Sequence, residues 1–146
     1  NGMRHGTGKH TGKDGREYEG QFLNDNVHGK GVLKLIDGTI FDCEFKNGKP
    51  HGKGKITREN CIVYEGEFDS GKMHGNGKHI SNLKRQVYYG EFNNGKRHGK
   101  GKIMNFNDQL LYEGEFYNDK KHGRGFEAGN DGIQIGVNYE NGVKIN

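Results

Sequence analysis

The chain has 146 residues, of which only 29% are hydrophobic and 27 are glycine, and its 23 basic and 19 acidic residues leave a formal net charge of +4. So small an apolar fraction excludes a thick globular core, and so balanced a charge excludes a basic or acidic polyelectrolyte tail. A disordered chain, or a thin structure that needs few apolar residues per strand, is what remains.

A His-Gly-x-Gly motif recurs along the whole chain and defines its repeat. The motif begins at six histidines spaced 23 or 24 residues apart, which are His5, His28, His51, His74, His98 and His122. An aromatic-x-x-x-Phe segment starts 10 residues before each of the last five histidines, and 13 or 14 residues separate a histidine from the next segment. The constant spacing of 10 residues is typical of strands joined by a tight hairpin turn, and the variable spacing of 13 or 14 residues is typical of a looser surface loop that tolerates an insertion.

The aromatic segments predict the first strand of each hairpin. In residues 64–68, Tyr64, Gly66 and Phe68 alternate with Glu65 and Glu67. This alternation is the period of a strand with one buried face. The positions to which the pattern gives a structural role are Tyr18, Phe22, Phe41, Phe45, Tyr64, Gly66, Phe68, Tyr88, Gly90, Phe92, Tyr112, Gly114 and Phe116.

Turn residues and glycine-lysine segments complete each hairpin. Asn47-Gly48 and Asn94-Gly95 are typical hairpin turns, and Gly-Lys-Gly-Lys-Ile at 52–56 and 99–103 predicts the returning strand. Consecutive hairpins predict an all-β fold, an elongated single-layer antiparallel meander of stacked hairpin repeats of about 23 residues without helices. We expect aromatic rings to cover glycines on one face, and lysines to face glutamates across strands on the other.

One repeat array is expected to occupy the whole chain, 1–146. Its predicted boundaries are a partial repeat over 1–17, repeats over 18–40, 41–63, 64–87, 88–111 and 112–134, and a degenerate final repeat over 135–146. Because Asn1-Gly2 corresponds to the turn of a hairpin whose first strand is missing, we expect the natural protein to extend upstream.

The motif Tyr-Glu-Gly-x-Phe-x-Asn-Gly-Lys-x-His-Gly-x-Gly resembles the MORN (membrane occupation and recognition nexus) repeat, most clearly over 64–77 and 88–101. Phe41 and Cys43 depart from the expected Tyr and Gly, and Tyr89 departs from the expected Glu. The resemblance implies a non-catalytic scaffold that binds other proteins in a cytoskeletal, ciliary or membrane-associated assembly, and that sometimes dimerises. It leaves open a targeting segment of a larger enzyme such as a lipid kinase.

The sequence contains no pattern typical of a catalytic or metal site. Equivalent histidines of successive hairpins lie two strands apart, roughly 9.6 Å, which is too far to share one zinc ion. Each histidine is therefore expected to hydrogen-bond its own hairpin. The glycine-lysine segment at 52–57 lacks the spacing of a phosphate-binding loop. We therefore predict no enzyme activity and no cofactor. We also predict no nucleic-acid partner, because the aromatic residues are expected to pack within the fold rather than to stack on bases.

The two cysteines bear on the cellular compartment. Cys43 and Cys61 form neither a CxxC pair nor a disulfide framework, which favours a reducing compartment. No apolar run reaches the length of about 18 residues that a spanning helix needs, and no signal peptide is recognisable. The predicted location is the cytoplasm, and the resemblance implies the cytoskeleton, a cilium or the cytoplasmic face of a membrane.

Candidate partner-binding residues are those that break the pattern of the repeat. Tyr89 places an aromatic ring in a column that is otherwise acidic, and exposed aromatic or methionine side chains on a charged surface are typical hot spots of binding. The candidates are Tyr89, Tyr117, Phe106, Met104 and Met73. The alternative interpretation is local packing of an extra ring over a glycine. An open meander also leaves sheet edges through which the chain could form a homo-oligomer.

Basic residues at the turns provide an alternative function, binding to phosphoinositides or another anionic membrane surface. The residues are Lys49, Lys72, Lys96, Arg97, Lys120 and Lys121. Each basic residue near such a membrane contributes about 1 kcal/mol. The same lysines also serve solubility and discourage edge-to-edge aggregation.

Overall fold

A computed structural model of the chain describes residues 2–145, in which there are thirteen β-strands and no helix. The described residues form two compact units, which divide between Lys72 and Met73. Within each unit every strand pairs antiparallel with the next strand along the chain. The all-β antiparallel meander predicted from the sequence is therefore confirmed.

The first unit contains six strands. They are β1 (Gly6–Thr11), β2 (Glu17–Leu23), β3 (Asn26–Lys34), β4 (Ile40–Lys46), β5 (Lys49–Arg58) and β6 (Cys61–Asp69). The register shifts between Gly20 and Phe22 where β2 pairs with β3, and between Cys43 and Phe45 where β4 pairs with β5. Such bulges bend a strand and increase its twist, and here they recur at the same place in each hairpin.

The second unit contains the remaining strands. They are β7 (Lys72–Ser81), β8 (Gln86–Asn93), β9 (Lys96–Asn105), β10 (Leu110–Tyr117), β11 (Lys120–Ala128), β12 (Gln134–Glu140) and β13 (Val143–Lys144). The bulge recurs between Gly90 and Phe92 and between Gly114 and Phe116. The last hairpin, β12–β13, is formed by the repeat that is degenerate in sequence.

Two-residue turns close the hairpins, and both of their residues have positive φ. In the Asn47-Gly48 turn the φ angles are 51° and 82°, as a type I′ turn requires. Asp25 and Asp119 occupy the second turn position at φ values of 70° and 71°, where other copies have glycine. These two aspartates hold a conformation that a side chain disfavours.

Neighbouring turns are hydrogen-bonded to each other. The amide of Gly48 donates to the carbonyl of Val27 at 3.1 Å in the first unit, and the amide of Gly95 donates to the carbonyl of Met73 at 2.8 Å in the second. In each case the acceptor residue directly precedes the histidine of the repeat. The turns are therefore part of the packing between successive repeats.

The core of each unit is a layer of aromatic rings on one face of its sheet. Tyr112 has no exposed surface, its hydroxyl donates to the carbonyl of Glu115 at 2.9 Å, and its ring meets Phe116 edge-on at 5.3 Å. Such edge-to-face pairs contribute about 0.5–1.5 kcal/mol beyond their burial. The aromatic repeat positions that are buried in this way are Tyr18, Phe22, Phe45, Tyr64, Phe68, Tyr88, Phe92, Tyr112 and Phe116.

Glycines lie directly under the tyrosine rings. A Cβ atom at Gly125 would be 2.6 Å from Cε2 of Tyr112, and one at Gly31 would be 2.6 Å from Cε2 of Tyr18. Real Cβ atoms do not approach other atoms so closely, so the ring occupies the space that a side chain would fill. The predicted covering of glycine by aromatic rings is confirmed, and it explains how so hydrophilic a chain forms a packed layer.

The second copy of the repeat replaces the tyrosine and the glycine together. Phe41 has no hydroxyl and is half-buried, and Cys43 is buried at 5% exposure. Burial, with smaller contributions from the charges of Asp42 and Glu44, raises the pKa of the Cys43 thiol to about 12. The thiol therefore stays protonated near neutral pH and serves packing rather than nucleophilic chemistry.

Each aspartate turn is matched by an arginine in the preceding repeat. The Nε of Arg97 donates to Oδ1 of Asp119 at 2.7 Å, and its guanidinium also donates to the Asp119 carbonyl at 2.6 Å. Arg4 and Asp25 form the same contacts in the first unit. Arg97 also lies over the ring of Phe116, 5.1 Å from its centroid. The arginine contacts thus stabilise a turn whose second residue is an aspartate at positive φ, whereas glycine adopts that conformation without such support.

We expect Arg97 and Asp119 to be energetically coupled. Arg97→Ala should destabilise the chain, and Asp119→Gly should be nearly neutral alone but stabilising in the Arg97→Ala background, because it removes an unpaired aspartate at positive φ. A double-mutant cycle from urea unfolding should yield a coupling of about 1 kcal/mol. Strictly additive effects of the two substitutions would contradict this interpretation of the turn.

Candidate partner-binding groove

The face opposite the aromatic layer carries a groove in the second unit. Its volume is about 1050 Å³, and strands β8 to β12 contribute its lining, including Tyr89, Lys102, Glu113 and Phe126. The backbone of the glycine column, among it Gly114, also lines it. Because the glycines leave the backbone uncovered and the flanking positions carry long side chains, this face is concave at its centre.

Strand register places four of these side chains in one row. Tyr89 is opposite Lys102, Lys102 is opposite Glu113, and Glu113 is opposite Phe126. Three strand spacings separate the first and the last of them, which corresponds to about 14 Å along the sheet. Two aromatic residues therefore bracket a lysine and a glutamate within a single groove.

Phe126 is a candidate that the sequence analysis missed. Phe126 is 52% exposed and lines the groove, so its ring is accessible to a partner. The signal was available, because the fourth residue after the repeat histidine is lysine in four of the six copies and phenylalanine only at 126.

The sequence-based candidates do not lie together. Tyr89 lines the groove, whereas Tyr117, 48% exposed, lies between the rings of His98 and His122 at 5.2 and 5.6 Å. Phe106 follows β9, with the guanidinium of Arg85 5.1 Å from its ring centroid. Met104 and Met73 are half-buried within strands. Of the five candidates, the groove therefore contains Tyr89.

The expected facing of glutamates and lysines across strands is confirmed at Glu67 and Glu65, which lie opposite Lys53 and Lys55, but three other glutamates bind the backbone instead. The carboxylates of Glu44, Glu91 and Glu115 accept hydrogen bonds from backbone amides nine residues later, at 2.9, 2.6 and 3.2 Å respectively. They bind beside the β-bulge, where the ladder leaves amides unpaired. Lys9 and Glu19 do form the expected cross-strand ion pair, with a nitrogen–oxygen distance of 3.7 Å.

The expectation that each histidine bonds its own hairpin is wrong at His5 and His122. The Nδ1 atom of His5 accepts from the amide of Asn24 at 3.4 Å, and that of His122 accepts from the amide of Asn141 at 3.1 Å. Both donors lie in the turn of the following hairpin. His5 and His122 therefore connect successive repeats, whereas Nδ1 of His74 is buried without a hydrogen-bond partner among the described residues.

The basic turn residues differ in their availability. Arg97 is paired with Asp119, and Nζ of Lys121 lies 3.2 Å from Glu127 and 4.6 Å from the ring centroid of Tyr112. The remaining residues of the set are exposed, namely Lys49, Lys72, Lys96 and Lys120. These four are the members of the set that stay accessible to an anionic surface.

Within residues 2–145 no cluster of three or more histidine, cysteine or acidic side chains is arranged to bind a metal ion. The same part of the chain has no helix long and apolar enough to cross a membrane.

Six segments of the chain match a family model described as the MORN repeat, over residues 1–15, 18–40, 44–60, 64–82, 88–104 and 112–134. Together these segments make up most of the sequence. The chain belongs to the MORN repeat family. A search of curated proteins found no significant match. The MORN repeat is a non-enzymatic module that mediates protein or membrane interactions, and its family is associated with membranes or the cytoskeleton.

Proposed function

We propose that this MORN repeat chain is a non-catalytic scaffold that binds other proteins in the groove of the second unit. Such a scaffold would act within a cytoskeletal, ciliary or membrane-associated assembly in the cytoplasm. The observation that carries the proposal is the row from Tyr89 to Phe126, which places two accessible rings in one groove of about 1050 Å³.

Several features of the groove favour a protein partner. Exposed aromatic residues within a concave site supply most of the binding energy in many interfaces. Lys102 and Glu113 between the rings provide charges of both signs, which give specificity. The strands beneath the groove are fixed by the aromatic layer, so binding requires little ordering of the backbone.

Capture of partner proteins from cell extract tests the proposal. We expect Tyr89→Ala and Phe126→Ala to weaken capture of the same proteins by about ten-fold or more, while circular dichroism still indicates a β-protein. Tyr117→Ala tests the second accessible tyrosine, which lies outside the groove lining. Val32→Ala is the matched control, because Val32 occupies the position of Phe126 in a first-unit repeat and is 38% exposed.

Unchanged capture by both groove variants would contradict the proposal. The alternative is binding to phosphoinositides or other anionic lipids through the exposed turn residues Lys49, Lys72, Lys96 and Lys120. It is supported by the turn ladder, which holds neighbouring turns side by side. Vesicle flotation that weakens with salt and with Lys96→Glu, without captured proteins, would favour it. A role in targeting a larger enzyme would require a catalytic domain elsewhere in the natural protein.

Self-association through the sheet edges is a further part of the proposed partnership. Edge strands present unpaired backbone groups that pair readily with another strand. Sedimentation of the purified chain would show whether the assembly includes a second copy.

A further inference from the structure

Tyr89 occupies a position that is acidic in every other aromatic segment of the chain. The equivalent residues are Glu19, Asp42, Glu65 and Glu113. At the first of these, the carboxylate of Glu19 pairs with Nζ of Lys9 on the adjacent strand at 3.7 Å. The repeat therefore normally places an anion beside the lysines of its neighbouring strands, and the copy with Tyr89 lacks that anion.

Both lysines that flank this position remain. Tyr89 is opposite Lys78 on β7 and opposite Lys102 on β9. The Nζ atoms of Lys78 and Lys102 lie 5.6 and 5.7 Å from the centroid of the Tyr89 ring, so both ammonium groups converge on one ring. Among the described residues neither lysine has an ion-pair partner within 4.0 Å, and each instead makes a cation–π contact, which leaves its positive charge without a counter-ion.

The nearby glutamates do not replace the missing anion. Glu91 and Glu115 are bound to the backbone amides of Lys100 and Arg124. Glu113 is opposite Lys102 on its other side, yet the lysine ammonium extends toward Tyr89. The Tyr89 hydroxyl makes no hydrogen bond within residues 2–145 and can also donate to an anion.

We propose that Lys78, Tyr89 and Lys102 form a notch that accepts a carboxylate side chain from a partner protein. The incoming aspartate or glutamate supplies the negative charge that the repeat has lost, and an apolar side chain further along the same segment contacts Phe126 in the same groove. This inference rests on the proposed function, and it adds the chemistry of the partner: an acidic segment that also carries an apolar anchor.

The shape of the site favours a protein segment over a lipid surface. Tyr89 and Lys78 are half-buried, and Tyr89 and Lys102 line a groove rather than a projecting edge. A segment of chain can enter such a groove, whereas a bilayer surface contacts residues that project. The exposed turn lysines are better placed for a membrane than this notch.

The test uses a phage-displayed library of random peptides selected on the intact chain. We expect selected peptides to combine an acidic residue with an apolar residue about four positions away, because an extended chain advances about 3.3 Å per residue. Tyr89→Glu should weaken their binding by about ten-fold or more, because it restores the acid of the repeat between the two lysines. Since that substitution returns the common residue, the stability of the chain should be unchanged or increased.

The controls separate the notch from general charge effects. Leu83→Glu adds the same charge at a loop residue that is 95% exposed and should leave peptide binding unchanged. Lys102→Gln should weaken the acidic peptides but not versions in which their acids are replaced by amides. Phosphatidylserine vesicles are tested in parallel, and we expect no difference between the intact chain and Tyr89→Glu.

Three outcomes would overturn the inference. Selected peptides that bind the groove without acidic enrichment would remove the notch but retain the proposed scaffold. Vesicle binding that is lost in Tyr89→Glu would assign the notch to lipid phosphates instead. Failure to select any peptide whose binding depends on Tyr89 or Phe126 would remove both the notch and the groove as a protein-binding site.

Discussion

Gly125→Ala is expected to destabilise the chain by about 3 kcal/mol, near the upper end of overpacking costs. The added Cβ would lie 2.6 Å from Cε2 and 2.7 Å from the hydroxyl oxygen of Tyr112. The ring cannot move aside easily, because its hydroxyl is bound to the Glu115 carbonyl and its faces and edges meet Phe116 and Tyr139. Urea unfolding followed by circular dichroism measures the loss.

Gly136→Ala is the matched control on the neighbouring strand. Gly136 is directly opposite Phe126 and next to Val137, the partner of Gly125, and a Cβ there would meet nothing within 4 Å. Neither glycine has a positive φ, so this alanine should be neutral or stabilising by up to about 1 kcal/mol. Equal effects at the two positions would show that the tyrosine ring does not require glycine beneath it.

A second substitution tests the cause directly. In a Tyr112→Leu background, Gly125→Ala should cost much less than in the intact chain, because the atoms that would clash have gone. The two substitutions contact each other, so non-additivity is expected. If Gly125→Ala lowered the unfolding free energy equally in both backgrounds, the clash would not be with the Tyr112 ring.

Glu127→Gln is expected to destabilise the chain by about 2 kcal/mol near neutral pH. Glu127 accepts hydrogen bonds from the Tyr139 hydroxyl and from Nζ of Lys121 and Lys144 at 3.2 and 3.1 Å. Burial would raise the pKa of Glu127, but the hydrogen bonds from Tyr139, Lys144 and Lys121 outweigh it and lower the pKa from 4.5 to about 2. Its charged form is therefore favoured in the folded chain.

The pH dependence follows from the direction of that shift. A carboxyl whose pKa is lowered on folding stabilises the protein above its unfolded pKa, and the contribution is lost as the pH falls through the folded pKa. The unfolding free energy of the intact chain should therefore fall more steeply than that of Glu127→Gln between about pH 4.5 and 2. Near pH 2 the two proteins should be almost equally stable.

Glu140→Gln provides the control for this prediction. Glu140 lies on the same strand as Tyr139, is exposed, and has no ion-pair partner in the described part of the chain. Its replacement should change neither the stability near neutral pH nor the acid slope appreciably. If Glu127→Gln kept the full acid slope, the hydrogen bonds at Glu127 would not be the source of the dependence.

Much of the fold could be predicted because the same pattern occurs in several copies of the repeat. Turn pairs such as Asn47-Gly48, a strand alternation such as Tyr64 to Phe68, and a constant spacing all indicate hairpins independently. Strands were therefore not mistaken for helices, because the clear copies of the repeat indicate the structure of a copy whose own pattern is ambiguous. The aromatic rings over glycine were also predictable, because a bare backbone beside a ring has few other uses.

The candidate site was less accessible to sequence reasoning. Tyr89 was a candidate because it stands where the other aromatic segments have an acidic residue. Whether it lies in one groove with Phe126 depends on which residues of β8 and β11 lie in the same row across the sheet. That row crosses three strand pairings, each of which contains a register shift of one or two residues. Tyr117 breaks the pattern as visibly as Tyr89, yet its ring packs between two histidines.

The amino-acid sequence by itself determined the hairpins and which side chains share a face, because turn chemistry and a period of two are local properties. Only the tertiary structure decided which polar groups meet: His5 with the turn amide of Asn24 and Arg97 with Asp119 between repeats, and Glu91 with a bulge amide within its own hairpin. These partners are 9 to 22 residues apart in the chain. Their meeting depends on bulges and on the stacking of turns, which the alternation along one strand does not specify.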